Sequence, residues 1–187
     1  MSERSFTFLI GSGRRDGNSE RLARRAAEAL SSSIEQRWLH LLDLPLAPFA
    51  DLRHGDSPFP PPAGHEQTLL DATLQPTDLV FVAPLYWYGL PAATKLYLDY
   101  WSAWLRLPGC DFKGRMAQKT FWAVTAISDD EDRMAAPLIG SLELTAGYLG
   151  ARWGGALLGH GNRPGDVLHD ARAVEQARTF FTEARDA

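Results

Sequence analysis

The stretch Leu79–Ala83, "LVFVA", is apolar at every position. A strand with one solvated face alternates apolar and polar residues. One that is apolar throughout is covered on both faces, as in a parallel sheet held between layers of helices. Four further candidate strands share the chain with it, at Phe6–Ile10, Arg37–Leu41, Thr120–Ile127 and Arg152–Leu158. Helical patterns fall among and after them, at Ser19–Leu30, Pro91–Leu105, Arg133–Tyr148 and Val167–Ala184. Alternation of this kind predicts βαβ units with right-handed crossovers and an open, doubly wound α/β sheet. At 187 residues the chain suits a single domain, residues 1–187, able to bury a full core. One region breaks the pattern, because seven of the twelve prolines fall between Pro45 and Pro76. No long helix is expected there before His65–Leu74. Two readings stand for it, a solvated excursion between the second and third strands or a flap that contacts a partner.

Several classes of function are set aside by charge and composition. A formal net charge of -4 opposes a protein built to coat nucleic acid, which needs a basic surface. Cys110 is the sole cysteine, so neither an internal disulfide nor a cysteine metal cluster can form. The longest uncharged stretch, Leu79–Thr94, is interrupted by Pro84, Gly89 and Pro91, which is poor material for a membrane span. The N-terminus has too short an apolar run for a signal peptide, so a cytoplasmic location is expected. His40, His54, His65, His160 and His169 are scattered without metal-ligand spacing, and each reads as surface or core filler. The acidic run Asp129–Asp132 reads as a helix N-terminus, where carboxylates favour the dipole, with a metal site as the minor alternative.

Between the first strand and its helix lies "GSGRRDGNS", residues 11–19. It is not a Walker A loop, since Asn18 stands where the lysine belongs. Nor is it a dinucleotide fingerprint, because Asp16 occupies the third glycine's place and would repel a pyrophosphate. A site for one terminal phosphate fits better. Ser12, Asn18 and Ser19 offer short donors, Gly13 and Gly17 let backbone amides converge, and the helix start adds partial positive charge. Arg14 or Arg15 supplies a forked cation. An ordinary turn capped by Asn18 or Ser19 is the competing reading.

A second loop follows the third strand, "APLYWYGLPAATKLYLDYW" at 83–101. In a sheet of order 2-1-3-4-5, the first and third strands flank the point where strand order reverses, and ligands sit there outside the strands' carboxyl ends. The second loop therefore lies beside the first. Tyr86, Trp87 and Tyr88 are flat side chains suited to a planar ring. Phosphate donors beside an aromatic loop describe a mononucleotide with a large flat head.

Together these stretches resemble the flavodoxin-like NAD(P)H-dependent FMN reductases and the wider flavodoxin-fold quinone reductases. Gly11, Ser12, Arg14, Gly17, Asn18 and Ser19 match the family's first loop. Pro84, Leu85, Tyr86, Trp87, Pro91, Ala92, Lys95, Tyr97, Leu98 and Asp99 match its second. "DFKGR" at 111–115 matches its usual lead-in to the fourth strand. The resemblance implies a flavodoxin-like five-stranded parallel sheet, order 2-1-3-4-5, with helices on both faces. It implies FMN as cofactor and NAD(P)H as co-substrate, with a quinone, flavin or similar small acceptor served in ping-pong order. It implies that Ser12, Arg14, Asn18 and Ser19 hold the phosphate, while Pro84, Leu85, Tyr86, Trp87 and Tyr88 shape one face of the flavin. No protein nucleophile is required.

The chain departs from the family pattern after the fourth strand. "TAISDDEDRM" lacks the glycines common there, which leaves contacts from Thr125–Ser128 in doubt. Cysteines for an iron–sulfur cluster are also missing. The family favours a homodimer, and Tyr97, Tyr100, Trp101 and Trp104 share one helical face. That face either packs on the sheet or forms part of a dimer seam. Gly159–Arg163 either reaches the nicotinamide or only turns the chain. A flavodoxin-type electron carrier without NAD(P)H turnover is the alternative function, and a partner-binding protein that has lost its flavin is a third. Arg14 and the mild net charge favour the reductase.

Overall fold

The computed structural model describes residues 4–55 and 58–182. Five strands, β1 (Ser5–Ile10), β2 (Glu35–His40), β3 (Asp78–Val82), β4 (Thr120–Ile127) and β5 (Arg152–His160), form one sheet. Its order is β2-β1-β3-β4-β5, and every neighbouring pair is parallel. The helices are α1 (Asn18–Ala27), α2 (Gly64–Leu74), α3 (Ala92–Trp104), α4 (Phe112–Met116), α5 (Ala136–Leu149) and α6 (Ala171–Ala177).

The unbroken apolar run of β3 has the expected cause. Leu79 and Phe81 point into a core layer shared with α2, α3, α4 and α5. Val80 and Val82 point the other way, toward α1, α6, Phe180 and Phe181. Every side chain of the strand is thus buried, and no polar alternation is tolerated. The flavodoxin-like sheet is the one the sequence predicts, and Thr120–Ile127 has the expected bounds. Among the described residues no helix is long and apolar enough to cross a membrane.

Several helix ends differ for local reasons. α1 stops at Ala27, not Leu30. α5 starts at Ala136 behind a 3-10 turn, Asp132–Ala135, with a proline in its first turn, where a missing N–H costs nothing. The predicted Val167–Ala184 helix is broken at Asp170, whose carboxylate accepts from Ala173 N and so starts α6 afresh; Glu183 and Ala184 lie outside the described residues. The short α4 was not anticipated.

The aromatic face of α3 belongs to the core. Tyr97, Trp101 and Trp104 are buried, with Tyr97 Oη 2.6 Å from Thr73 Oγ1 and Trp104 Nε1 donating to Glu66. Those three rings are therefore not available to a dimer seam, which corrects that alternative. Tyr100, half-buried, donates to Ala47 O and packs edge-on to Phe49. The Pro-rich excursion is thereby laid against its own chain.

β1 and β3 end side by side, with Ile10 opposite Val82 and Gly11 N donating to Val82 O at 2.9 Å. A Cβ on Gly11 would stand 1.8 Å from Thr94 Oγ1 in the first turn of α3. The absence of that side chain lets α3 press against the first loop. Gly11→Ala should cost about 1–3 kcal/mol by overpacking, read from urea unfolding. Thr94→Ala should recover part of that loss in the double variant, because it removes the clashing atom, which has no hydrogen-bond partner.

Candidate functional site

Segments at the carboxyl ends of four strands, β1, β3, β4 and β5, meet and line a solvent-open cleft. Its floor is the start of α1. Gly17 is the N-cap residue, and no side chain caps the helix. The reading of Asn18 or Ser19 as a plain N-cap is thus incorrect, since both lie inside the helix. The N–H groups of Asn18, Ser19 and Glu20 have no intrahelical acceptor and sit at the positive end of the helix dipole.

The short polar side chains brace this floor. Ser12 Oγ accepts from Arg14 N at 3.1 Å, and Ser19 Oγ accepts from Ala126 N at 3.0 Å. Each hydroxyl still has its own hydrogen to donate. Asn18 spans to the loop after β5, donating to Arg163 O at 3.0 Å and accepting from Gly165 N at 2.8 Å. Its carboxamide is a strut more than a free donor.

The two arginines separate cleanly. Arg15 pairs with Asp43 on the surface, whereas Arg14 lines the cleft and has no side-chain partner among the described residues. Asp16 turns outward at φ 52°, its N–H held by Glu20. No carboxylate lines the cleft among the described residues. The donor set therefore suits a phosphate dianion: hydroxyls, free amides, a helix start and one uncommitted guanidinium.

Pro84, Leu85 and Tyr86 form the opposite wall. Trp87 and Tyr88 do not reach the cleft. With Leu85, Ile127, Ser128 and Asp129 they line a groove beside it. Trp87 is 96% exposed and Tyr88 54%. They are the central residues of a tight turn, closed by Tyr86 N to Gly89 O at 3.2 Å and Gly89 N to Tyr86 O at 3.1 Å. Both have positive φ, 49° and 61°, the backbone of a type I′ turn that Asn-Gly adopts easily and bulky residues do not.

The sequence reading did not secure the third and fourth parts of the wall. Ala126, near the end of β4, and Ser128, just beyond it, line the cleft, as do Gly161, Asn162 and Pro164 from the loop after β5. A Cβ on Gly161 would meet Val167 N at 2.7 Å, so that loop folds back only with glycine there. The signal was the cluster of turn formers in "GHGNRPGDV". The acidic run is tied down at its last residue. Asp132 takes Arg172 and His160, and its carboxyl is held down to about 2, by Arg172 first and His160 second.

An uncapped helix start thus lies beside an aromatic loop at the reversal point of a 2-1-3-4-5 sheet. The family model for NADPH-dependent FMN reductase matches residues 5–152. The chain belongs to the NADPH-dependent FMN reductase family. YwqN of Bacillus subtilis (strain 168), named as an NAD(P)H-dependent FMN-containing oxidoreductase, is 33% identical over 170 residues, covering 90% of this chain and 92% of that one. The solved Trp repressor binding protein of Bacillus subtilis superposes with a TM-score of 0.75 at 28% identity, over 97% of this chain and 99% of its own. An NAD(P)H:quinone oxidoreductase from Methanothermobacter marburgensis shares the fold, with a TM-score of 0.68 and 16% identity over the whole of both chains. Membership makes this FMN reductase homologue an enzyme with FMN as cofactor and NAD(P)H as reductant, and favours that reading over the electron carrier. For the exposed turn, Trp87→Asn with Tyr88→Gly should raise unfolding free energy by about 1–2 kcal/mol, measured in urea, because the strain is relieved.

Proposed function

We propose that this reductase holds the FMN phosphate on the first turn of α1 and reduces a small flat acceptor, such as a quinone or free flavin, at the groove beside the cleft. The observation that carries the reading is the uncapped start of α1 in a cleft where, among the described residues, Arg14 has no side-chain partner and no carboxylate lines the wall. Arg14 and the hydroxyls of Ser12 and Ser19 supply charge-assisted and neutral hydrogen bonds to the phosphate. Asn18 acts mainly by fixing the loop after β5, through its two bonds to Arg163 and Gly165. Pro84, Leu85 and Tyr86 give the flat part of the cofactor an apolar and aromatic wall.

Bound FMN supplies hydride chemistry between a reduced nicotinamide and the acceptor. The protein's part is to orient the reactants and shelter them from water. Trp87 and Tyr88 offer rings at the edge of the groove, suited to a planar nicotinamide or a planar acceptor. One groove serving both favours their use in turn, a ping-pong order. If copies of the chain pair, the large apolar residues left exposed on α5, Leu144 and Tyr148, support that face over α3 as the seam.

Arg14→Ala should weaken FMN binding about 10- to 100-fold, the loss of a charge-assisted bond worth about 1.5–3 kcal/mol. Quenching of flavin fluorescence on titration measures it. Arg15→Ala, whose partner is Asp43, should bind as the parent does. Equal affinity in the Arg14 variant contradicts the phosphate assignment.

A further inference from the structure

Ser128 lines both the cleft and the groove, so the course of the segment that follows it shapes both. That segment, Asp129, Asp130, Glu131 and Asp132, is four consecutive acids that repel one another. His160, the last residue of β5, spans it. Its Nδ1 lies 2.8 Å from Asp129 O and its Nε2 2.6 Å from Asp132 Oδ1. A carbonyl oxygen and an ionised carboxylate only accept hydrogen bonds, so the ring satisfies both only with a hydrogen on each nitrogen. Neutral imidazole has one such hydrogen; imidazolium has two.

The surroundings hold this arrangement firmly. Asp132 also takes both terminal nitrogens of Arg172. His160 N donates to Asp170 Oδ2 at 2.9 Å, and the next residue, Gly161, donates its N–H to Ile127 O at 2.8 Å. The charged groups facing the ring are Asp132 from the loop, and Asp170 and Arg172 from the start of α6. The carboxylate of Asp129 is turned to Glu131 N at 2.9 Å.

We propose that His160, as the imidazolium, is a positioning residue that clamps the segment 129–132 to β5 and thereby sets the wall Ser128 contributes to the cleft and the groove. When the ring loses a proton, one of its two contacts loses its donor and the wall loosens. The clamp stands on its own geometry. Its consequence for turnover rests on the groove being the nicotinamide site.

The test follows the FMN-loaded, ¹⁵N-labelled protein from about pH 5 to about pH 8, the span in which histidine changes charge. The ring nitrogens of His160 and the backbone amides of Ser128 and Asp129 are read together by NMR. At the acid end both ring nitrogens should carry hydrogen. The Ser128 amide should then shift with the same midpoint as the ring. Asp132→Asn, whose amide can turn to donate to a neutral Nε2, should abolish the Ser128 shift while the ring still titrates. In parallel, KM for NADPH should rise several-fold through that midpoint with kcat changed less. His160→Gln should flatten the KM profile. A Ser128 amide that ignores the ring's titration, or a pH dependence of that amide unchanged in His160→Gln, overturns the clamp. A Ser128 shift without any change in KM keeps the clamp and removes the groove's assignment to the nicotinamide.

Discussion

A parallel sheet buries both faces only if each crossover lays a helix back across it, and here the crossovers leave β1 in one direction and β3 in the other. No helix can fill the notch between those two strand ends, because both departing chains turn away from it. Everything at the site follows from that notch. α1 starts on one side of it without a side-chain cap, and α3 is pressed close on the other by the missing side chain of Gly11. Backbone N–H groups that a solitary helix would satisfy with its own cap are left facing a cavity.

The polar residues around the notch do double duty. Ser12, Asn18 and Ser19 look like ligand donors when read along the chain, yet each accepts a hydrogen bond from backbone in the folded protein. Through these bonds Ser12 shapes its own loop, Ser19 fixes α1 to the end of β4, and Asn18 fixes α1 to the loop after β5. The hydroxyl hydrogens and the helix amides stay available. Donors arranged this way are preorganised, since the bonds that brace the loops also hold them in place. Trp87 and Tyr88 show the opposite economy, two large rings kept exposed on strained backbone.

Much of this was legible in the sequence. The continuous apolar run of β3 required cover on both faces, and the 2-1-3-4-5 order that the resemblance implies set residues 11–19 beside the loop after β3. Of that loop, Pro84, Leu85 and Tyr86 line the cleft while Trp87 and Tyr88 fall in the groove beside it. Residue type alone did not separate Arg14 from Arg15; the resemblance chose Arg14, and the pairing of Arg15 with Asp43, set by the turn after β2, gives that choice a physical reason. The α3 aromatic face was equally ambiguous, because a helical stripe reads the same whether a sheet or a second copy covers it. For Gly161 and Asn162 the sequence left two readings open, and Pro164 lay just outside the range they covered. Turn formers announce that a loop turns, and only the fold says toward what. His160 looked like filler until β4 and β5 were set side by side, with Ile127 opposite it.

The notch, on this proposal, is a flavin site reducible by a nicotinamide nucleotide. A visible absorption spectrum of the purified protein, incubated with FMN, freed of unbound flavin and then mixed anaerobically with NADPH or NADH, tests it most directly. The account predicts retained flavin bands that bleach on addition of the nucleotide. A protein that keeps no flavin after incubation, or keeps it with bands that neither nucleotide bleaches, contradicts it.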